Sequence, residues 1–524
     1  MAIEQLSPEQ VRDWSREQKD QWWFTRIYRE TMPQLTLRSA FTGFFLGGVL
    51  CATNLYIGAK TGWSLGVGLT SVILAFAAFR ILSQLGMRDM TILENNCSQS
   101  IATAAGYMTG PLISGMAAYM WVQNTIMPWW QMLLFNVVLS ILGVLVAFPM
   151  KRRFINDEQQ PFPEGRAAGV VLDALYSSDA AVGMFKAKVM AIAAIGAGLL
   201  QALMSTGYLQ TLHVVILVAK HGKSWSETLV TYKDQIKDTW HLPENLEGVY
   251  AWLATKNMEP KLAKVPVAQL GLNPGLDLAM IGAGGLTGIK AASNMTLGMI
   301  INFVFLVPWM ISIGEIQPQK GSWEAGTAVF SRAWVVNSWA LWWGIVIMVA
   351  ASMVSLAGKP KVFVEAFRGL FAKKTPASSS HDVLKHIEFP LWISAVGIPI
   401  VGAIGVWMAH DWFGVKWIFG ALAIPLIIVL TLIAASSTAL TSITPTGSLS
   451  KIPQFIFGAA DPTHPPTNLM TGVMCVEVAS NASNLLMDIK PGYMLGAKPR
   501  QQALGHVLGI FAGALAAVPV YYLV

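Results

Sequence analysis

A series of apolar segments, each about 20 residues long and separated by short polar stretches, constrains this fold more than any other feature. A helix of that length can cross the roughly 30 Å hydrocarbon core of a bilayer. The clearest segments are 37–58, 63–85, 129–149, 186–204, 292–313, 335–356, 389–409, 415–434, 467–486 and 504–524. Shorter or more polar ones lie at 98–110, 111–127, 166–176, 208–218, 274–289 and 440–458. We expect about 12 to 16 membrane segments, some of which do not cross completely.

Charged residues make up 12% of the 524 residues, against about 25% in soluble proteins. Hydrophobic residues make up 54%, and the mean hydropathy is +0.51. So few charges cannot cover a water-exposed surface, which excludes a cytosolic enzyme, a disordered chain and a nucleic-acid-binding protein. The excess of positive charge, +7, lies in short loops, where it is better interpreted as a determinant of membrane orientation.

These features predict an all-α, polytopic integral membrane protein with re-entrant or broken helices and an internal repeat. We expect it to be a multi-pass protein of the cytoplasmic (inner) membrane. The predicted regions are a cytoplasmic N-terminal amphipathic segment (1–35), a first transmembrane repeat (36–219), an extramembrane insertion (220–270), transmembrane segments (271–358), a cytoplasmic loop (359–388) and second-repeat transmembrane segments (389–524). No apolar stretch precedes residue 35, so no cleavable signal peptide is expected.

Two loops concentrate the basic residues that set orientation. They hold Lys151, Arg152, Arg153 and Arg166 in one case, and Lys359, Lys361, Arg368, Lys373, Lys374 and Lys385 in the other. Both are predicted to be cytoplasmic, because Lys and Arg are enriched in cytoplasmic loops. The three cysteines, Cys51, Cys97 and Cys475, lie far apart within apolar sequence and predict buried thiols without a disulfide or metal role.

The segment before the first span alternates apolar and charged residues at near-helical spacing. Its apolar members are Val11, Trp14, Trp22, Trp23, Ile27 and Tyr28. One interpretation is a helix lying in the lipid headgroup region. The other is a solvated helix packed on the cytoplasmic face of the protein, and the sequence leaves both open.

Two segments are unusually polar for membrane depth. Residues 94–110 read ENNCSQSIATAAGYMTG, and residues 436–458 read SSTALTSITPTGSLSKIPQFIFG. Irregular polar backbone is tolerated at that depth only where protein or a water-filled cavity surrounds it. Both segments therefore predict re-entrant or discontinuous helices, on which secondary transporters commonly build their central sites.

A short pattern occurs twice, as NLYIGAKTGW from residue 54 and NLLMDIKPGY from residue 484. The shared Asn-Leu, Lys, Gly and aromatic positions predict two copies of one membrane repeat. If the second copy had the layout of the first, its counterpart of Glu94 would fall near Val524. We therefore expect the chain to lack a terminal portion of the second repeat.

Glycines four residues apart recur, as at Gly43 and Gly47 and in the series Gly505, Gly509 and Gly513. Small residues at this spacing let helix backbones approach closely. We interpret them as packing positions within the chain and not as a dimer interface.

Several motifs together resemble the oligopeptide transporter (OPT) family, in its prokaryotic and yellow-stripe-like branch. They are NLYIGAKTGW from residue 54, Glu94-Asn-Asn with Gln99-Ser and Ala104-Ala-Gly106, Phe162-Pro-Glu164-Gly165 with Ala167-Ala-Gly169, Asn273-Pro-Gly275, and Met487-Asp488 through Gly496. The resemblance covers the chain from about residue 36 to its end. It implies an all-helical secondary transporter of about sixteen membrane segments, which imports peptides or metal chelates with protons. The chain is short for such a family.

Candidate substrate-binding residues are polar side chains in or beside the broken helices and the repeat. They are Asn54, Tyr56, Lys60, Glu94, Asn95, Gln99, Asn481, Asn484 and Lys490. Free N–H groups at the start of the first broken helix favour an anion such as a substrate carboxylate. Alternatives remain open: Glu94 could only cap that helix, and the lysines could extend to the membrane interface.

Glu477, Glu94 and Asp488 are the candidate proton carriers, because an ionisable group inside a span is costly and therefore indicates function. Glu477, Asn481, Asn484 and Asp488 follow one helical face and predict a pore-lining stripe. A structural stripe of hydrogen bonds between helices is the alternative. Every histidine lies in or near a loop or span end, which favours a carboxylate relay over a histidine relay.

We expect a secondary active transporter, with proton-coupled import of small peptides or peptide-like substrates first and metal-chelate transport as the alternative. The predicted partners are the substrate, protons and membrane lipid, with a possible homo-oligomer and no nucleic acid. No HExxH, GxSxG or Walker A motif is present, so an enzyme is not expected, nor is a cofactor or metal site. A channel stays open as the rival, since broken helices also suit selectivity filters.

Overall fold

The computed structural model describes residues 3–61, 66–84, 86, 88–176, 180–222, 224–243, 245–262, 264–275, 281, 289–318, 323–324, 327–328, 330–358 and 383–523. The helices in them, numbered along the chain, are α1 Pro8–Asp13, α2 Arg16–Arg26, α3 Leu37–Thr61, α4 Val67–Gln84, α5 Ile92–Gly106, α6 Ala117–Gln123, α7 Trp129–Lys151, α8 Pro163–Tyr176, α9 Ala180–Met204, α10 Thr206–His221, α11 Trp225–Thr231, α12 Lys233–Lys237, α13 Glu247–Thr255, α14 Ile289–Ile300, α15 Val307–Ser312, α16 Arg332–Val335, α17 Leu341–Gly358, α18 Leu391–Phe413, α19 Trp417–Thr441, α20 Thr446–Leu449, α21 Lys451–Ala460, α22 Pro465–Leu495 and α23 Pro499–Leu523.

Strands are confined, in these residues, to two short antiparallel hairpins. They pair β1 (Lys261–Leu262) with β2 (Val265–Pro266) and β3 (Trp323–Glu324) with β4 (Thr327–Ala328). Short π-helical turns extend four of the helical runs: Leu112–Met116, Arg152–Asp157, Ile301–Leu306 and Val336–Ala340. The predicted all-α, polytopic membrane fold is confirmed.

Six helical runs in the described part of the chain are long and apolar enough to cross a membrane. They are Leu37–Tyr56, Trp129–Asp157, Ala292–Ser312, Leu391–Phe413, Trp417–Thr441 and Pro499–Leu523. The pair Ile195–Met204 and Thr206–His221, bent by 78°, would make a seventh. Other predicted segments are shorter or more polar, as in the 15-residue α5 and the 31-residue α22. The total of about 12 to 16 segments stays a prediction.

The chain forms two compact units, one of Met1–Gly183 and Ile347–Val524 and one of Met184–Val346. The second unit holds α9 from Met184 onward, α10, the short helices α11 to α13 and a small core around Val265, Leu270 and Val335. The first unit holds all the predicted site residues. The predicted loop 359–388 lies outside the described residues up to residue 382.

Two helices that carry polar side chains, α5 and α22, form the interior of the first unit. All fifteen residues of α5 are buried, and α22 is buried along almost its whole length. Helices α3, α4 and α23 pack on α5, while α7, α8, α19 and α21 pack on α22. Leu37, Phe41 and Phe45 on α3 are exposed, as are Trp392, Val396 and Ile400 on α18. An apolar exterior around a polar interior is the reverse of a soluble fold and suits a lipid environment.

Both predicted helix breaks are present. Helix α5 ends at Gly106, and turns lead to the π-helical Leu112–Met116. Helix α19 ends at Thr441, where Ser442 has the left-handed φ of 60°, and the short α20 follows. The Ser442 hydroxyl accepts a hydrogen bond from the Glu164 backbone N–H at 2.7 Å, so the break also anchors the start of α8.

The N-terminal helix α2 packs on the protein through Trp23, Lys19 and Asp20, which are all buried. Trp23 is buried, donates from Nε1 to the Tyr493 carbonyl at 2.6 Å and stacks on the Tyr493 ring. Lys19 Nζ lies 2.9 Å from Asp157 Oδ1, and Asn156 Nδ2 donates to Asp20 Oδ1 at 2.6 Å. These contacts attach α2 to the turn after α7 and to the end of α22.

We expect the docking of α2 on the protein to depend on pH, because the Asp20 carboxyl is buried at the contact. Burial raises the pKa of the Asp20 carboxyl above its ordinary value, although the hydrogen bond from Asn156 opposes that shift. The docked helix therefore binds the proton more tightly than the free helix, so docking weakens as the pH rises from about 3.9 through the raised pKa. Limited proteolysis between Arg16 and Arg26 is expected to speed up over that range. Asp20→Asn should remove the dependence, whereas the same change at the exposed Glu17, to Gln, should leave it unchanged.

Candidate functional site

Glu477 lies in the middle of α22 and is completely buried. Its Oε1 accepts hydrogen bonds from the Ser140 hydroxyl of α7 and from Asn481 Nδ2, the latter at 2.7 Å. Asn481 Nδ2 also reaches the Ser140 hydroxyl at 3.2 Å. The other oxygen, Oε2, is buried without a hydrogen-bond partner among the described residues. One oxygen is thus fixed by neutral donors and the other is available to a proton.

Asp488 lies eleven residues further along α22, about 16 Å along the helix axis. Gln99 Nε2 of α5 donates to its Oδ1 at 2.7 Å. Its Oδ2 has no hydrogen-bond partner in the described part of the chain and lies 3.5 Å from His506 Nδ1 of α23. Three helices therefore meet at this carboxyl group.

Side-chain amides connect the same three helices. Gln502 Nε2 of α23 donates to Asn96 Oδ1 at 2.8 Å and to the Asp488 carbonyl at 3.1 Å. Asn96 Nδ2 in turn donates to Gln99 Oε1 at 3.1 Å. Because Gln99 also holds Asp488, a change in the charge of this carboxyl group acts on a connected network.

Glu94 forms a different kind of site, at the beginning of α5. It makes a reciprocal capping box with Thr91. Its carboxylate also accepts from the Thr36 hydroxyl at 2.7 Å and pairs with Arg38 at 2.9 Å and Arg88 at 3.3 Å. The capping box agrees with one of the two interpretations open from the sequence, and the two arginines compensate the charge of the carboxylate.

The other predicted residues are divided between interior and surface. Asn54 and Asn95 are buried, and Asn54 Nδ2 donates to the Gly106 carbonyl at 3.0 Å, which connects α3 to the end of α5. Asn484 is buried on α22 and donates to Ser480 at 3.2 Å. Tyr56 is exposed, and the Lys60 side chain lies outside the described residues.

Lys490 is buried near the end of α22, with 7% of its surface exposed. Of the two interpretations left open by the sequence, this burial contradicts the extension of Lys490 to the membrane interface. Helix α8 crosses it at Gly165, where an added Cβ would overlap the Met487 carbonyl oxygen and lie 3.2 Å from Lys490 Cβ. The preceding Glu164 carboxylate lies over Gly66 and Gly68, near Gln99. Acidic and basic groups thus border the Asp488 network.

His506 corrects the expectation that every histidine lies in or near a loop or span end. It is completely buried within α23, eight positions along a 25-residue helix, and faces Asp488. Sequence reasoning also missed Gln502 and Ser140. The available signal for His506 and Gln502 was their spacing of four residues, which places them on one face of α23.

No group of three His, Cys, Asp or Glu side chains suited to a metal ion occurs among the residues that the structure describes. Cys51, Cys97 and Cys475 are free and buried. The side chains of the site described above carry carboxyl, amide, hydroxyl and imidazole groups.

Comparisons with known proteins agree with this architecture. The sequence model of a family described as "OPT oligopeptide transporter protein" matches residues 34–524. The chain is 22% identical to "Putative oligopeptide transporter YGL114W" of Saccharomyces cerevisiae, over 92% of this chain and 76% of the relative. It is also 22% identical to a "Putative oligopeptide transporter" of Haemophilus influenzae, over 89% of this chain and 69% of that protein. The chain belongs to the OPT oligopeptide transporter family.

Proposed function

We propose that this membrane transporter is a secondary active carrier that imports small peptides or peptide-like substrates together with protons across the cytoplasmic membrane. The observation that carries the proposal is the pair of buried carboxyl groups on α22, each with one oxygen held by neutral donors and one oxygen unpartnered among the described residues. Glu477 and Asp488 are assigned to proton coupling. Glu94 is assigned to the helix cap, because its carboxylate is already paired with two arginines.

The physical argument rests on the cost of buried charge. An ionised carboxylate in a low-dielectric interior is costly unless a cation or sufficient hydrogen bonds compensate it. No ion pair with Lys or Arg is present at Glu477 or Asp488 in the described part of the chain. Binding a proton removes the charge of the carboxylate. The protonated and deprotonated forms of the carrier therefore favour different packing of the helices around Glu477 and Asp488.

The substrate class rests on two supports. The named relatives are described as oligopeptide transporters. A peptide is a zwitterion with amide groups. We propose that polar side chains of the first unit contact it, namely Asn54, Tyr56, Lys60, Asn95, Gln99, Asn481, Asn484 and Lys490. A metal chelate carries similar carboxylate and amine groups and is the alternative substrate.

Uptake into proteoliposomes tests this function. With an inward proton gradient, the purified protein is expected to accumulate labelled di- to pentapeptides above the external concentration and to saturate. Labelled metal–nicotianamine and siderophore complexes form the second arm, and preferential accumulation of those complexes would replace the peptide assignment. Protein-free vesicles and vesicles with a collapsed gradient are the controls.

Saturation separates a carrier from a channel. A carrier must change conformation once for each substrate, so its rate reaches a maximum, whereas a channel conducts without such a limit. Unsaturable current that persists without a proton gradient would refute the carrier proposal and favour the channel.

A further inference from the structure

His506 and Asp488 form a buried pair of titratable side chains in the first unit. His506 is 0% exposed and Asp488 is 1% exposed. The distance from His506 Nδ1 to Asp488 Oδ2 is 3.5 Å, slightly longer than a hydrogen bond. Neither ring nitrogen of His506, nor Asp488 Oδ2, has a hydrogen-bond partner among the described residues.

Such a combination is unusual, because buried polar atoms in proteins are nearly always hydrogen-bonded. A neutral imidazole has one N–H donor and one acceptor nitrogen, while a carboxylate oxygen can only accept. A shift of about half an ångström would bring the two atoms to hydrogen-bond distance. A small movement would therefore let His506 and Asp488 form a hydrogen bond with each other, since neither group is bonded to another described residue through these atoms.

We propose that His506 and Asp488 together bind the coupling proton, so that the pair, and not the carboxyl group alone, is the proton site of this region. The inference rests on the proposed proton-coupled function and adds His506 to it. Without the extra proton the pair carries one negative charge, with a neutral imidazole donating to the carboxylate. With the proton it is neutral overall, and the proton forms a bond to Asp488 oxygen or to the second nitrogen of His506.

Polar and titratable side chains from the neighbouring helices surround the pair. Gln99 and Thr103 face Asp488 from α5, and Glu164 lies within electrostatic range from α8. Tyr107, after α5, is also within range of both Asp488 and Glu164. The thiol of Cys97 lies beside Gly505, one residue before His506. In the described residues, the ion pair found at Asp488 is the one with His506, and no lysine or arginine pairs with it.

The amide side chains of Gln99 and Gln502 connect Asp488 to the neighbouring helices, so the charge of the pair affects how these helices are held together. Gln99 of α5 holds Asp488 Oδ1, while Gln502 of α23 holds the Asp488 carbonyl and Asn96. Neutralising the pair weakens the charge-assisted hydrogen bond from Gln99, since bonds to an ionised acceptor are the stronger ones. The proton therefore alters how α22 is held against α5 and α23.

His506→Gln in proteoliposomes is the direct test, since glutamine keeps hydrogen-bonding capacity but does not titrate. The expected result is loss of proton-driven accumulation and of its pH dependence, with substrate exchange at equal concentrations retained, because exchange needs no net proton movement. His410→Gln is the matched control, because that imidazole is held by the Val415 carbonyl at 2.9 Å outside this network. Wild-type accumulation and pH dependence in His506→Gln would overturn the proposal.

A second measurement does not depend on transport or on the folding of the histidine variant. Nuclear magnetic resonance of nitrogen-labelled histidine in the wild-type protein should show one imidazole whose titration changes in Asp488→Asn. An imidazole spectrum unaffected by Asp488→Asn would refute the pair even if uptake were proton-driven. If the wild type accumulates no tested substrate, the proposed function fails, while the resonance experiment still decides whether the pair shares a proton.

Discussion

Glu477→Gln is expected to abolish proton-driven accumulation of substrate while leaving the protein folded. Glutamine has nearly the same shape as glutamate, and its oxygen can still accept from Ser140 and Asn481. What disappears is the carboxyl group that binds a proton at the unpartnered Oε2. The variant should therefore purify with an unchanged elution profile and melting temperature, and fail only when uptake depends on a proton gradient.

Asp461→Asn is the matched control, because it removes a carboxylate from the loop just before α22. The Lys416 ammonium, 2.9 Å away, holds the pKa of the Asp461 carboxyl below its ordinary value, and Thr467 adds a second hydrogen bond. A carboxylate so compensated has little tendency to take up a proton near neutral pH. Asp461→Asn should accordingly keep the pH dependence of uptake. Unchanged pH dependence in Glu477→Gln would contradict the coupling role of Glu477.

The positions of the helices could be predicted closely from hydropathy. The apolar segment at 37–58 corresponds to Leu37–Thr61, and the segment at 129–149 corresponds to Trp129–Lys151. The two polar interruptions also correspond to real breaks, because Ser, Thr, Gly and Asn at membrane depth need a buried backbone environment. Local composition is enough for these inferences, since each depends on neighbours along the chain.

The composition of the interior was harder to predict. Helix α5 is rich in polar side chains and α22 carries several polar and charged ones within an apolar sequence, yet both are buried at the centre of the first unit. The stripe from Glu477 to Asp488 was predicted to line a single surface. In the structure its two ends contact different helices, α7 at Glu477 and both α5 and α23 at Asp488.

Contacts between distant residues account for what the sequence could not predict. Gln502 and Asn96 are 406 positions apart, and Ser140 and Glu477 are 337 apart. Their pairing depends on how the helices are rotated against one another, which hydropathy does not report. For the same reason neither the arginine partners of Glu94 nor the burial of His506 could be predicted from the sequence, although all of these residues can be read from it.

Gly509→Ala is expected to destabilise the protein by forcing apart two closely packed helices, α5 and α23. An added Cβ at Gly509 would overlap the backbone carbonyl oxygen of Ile101 and lie 2.7 Å from Ala104 Cβ. Backbone cannot rotate away as a side chain can, so α23 must move off α5. Overpacking of this kind typically costs about 1–3 kcal/mol. The melting temperature in detergent and the monodisperse yield should both fall.

Gly48→Ala is the control, because it adds the same methyl group between α3 and α23. There the new Cβ would lie 3.7 Å from Ala516 Cβ, an ordinary van der Waals contact, so little change in melting temperature is expected. A fall of the melting temperature in both variants would indicate a general sensitivity to helix composition. A fall in neither would mean that α23 does not lie as close to α5 as the structure has it.

Because Gln502 and His506 share α23 with Gly509, a displaced helix would also separate His506 from Asp488. Gly509→Ala protein that still folds should therefore lose proton-driven uptake along with stability, which links the close packing of these helices to the proton site.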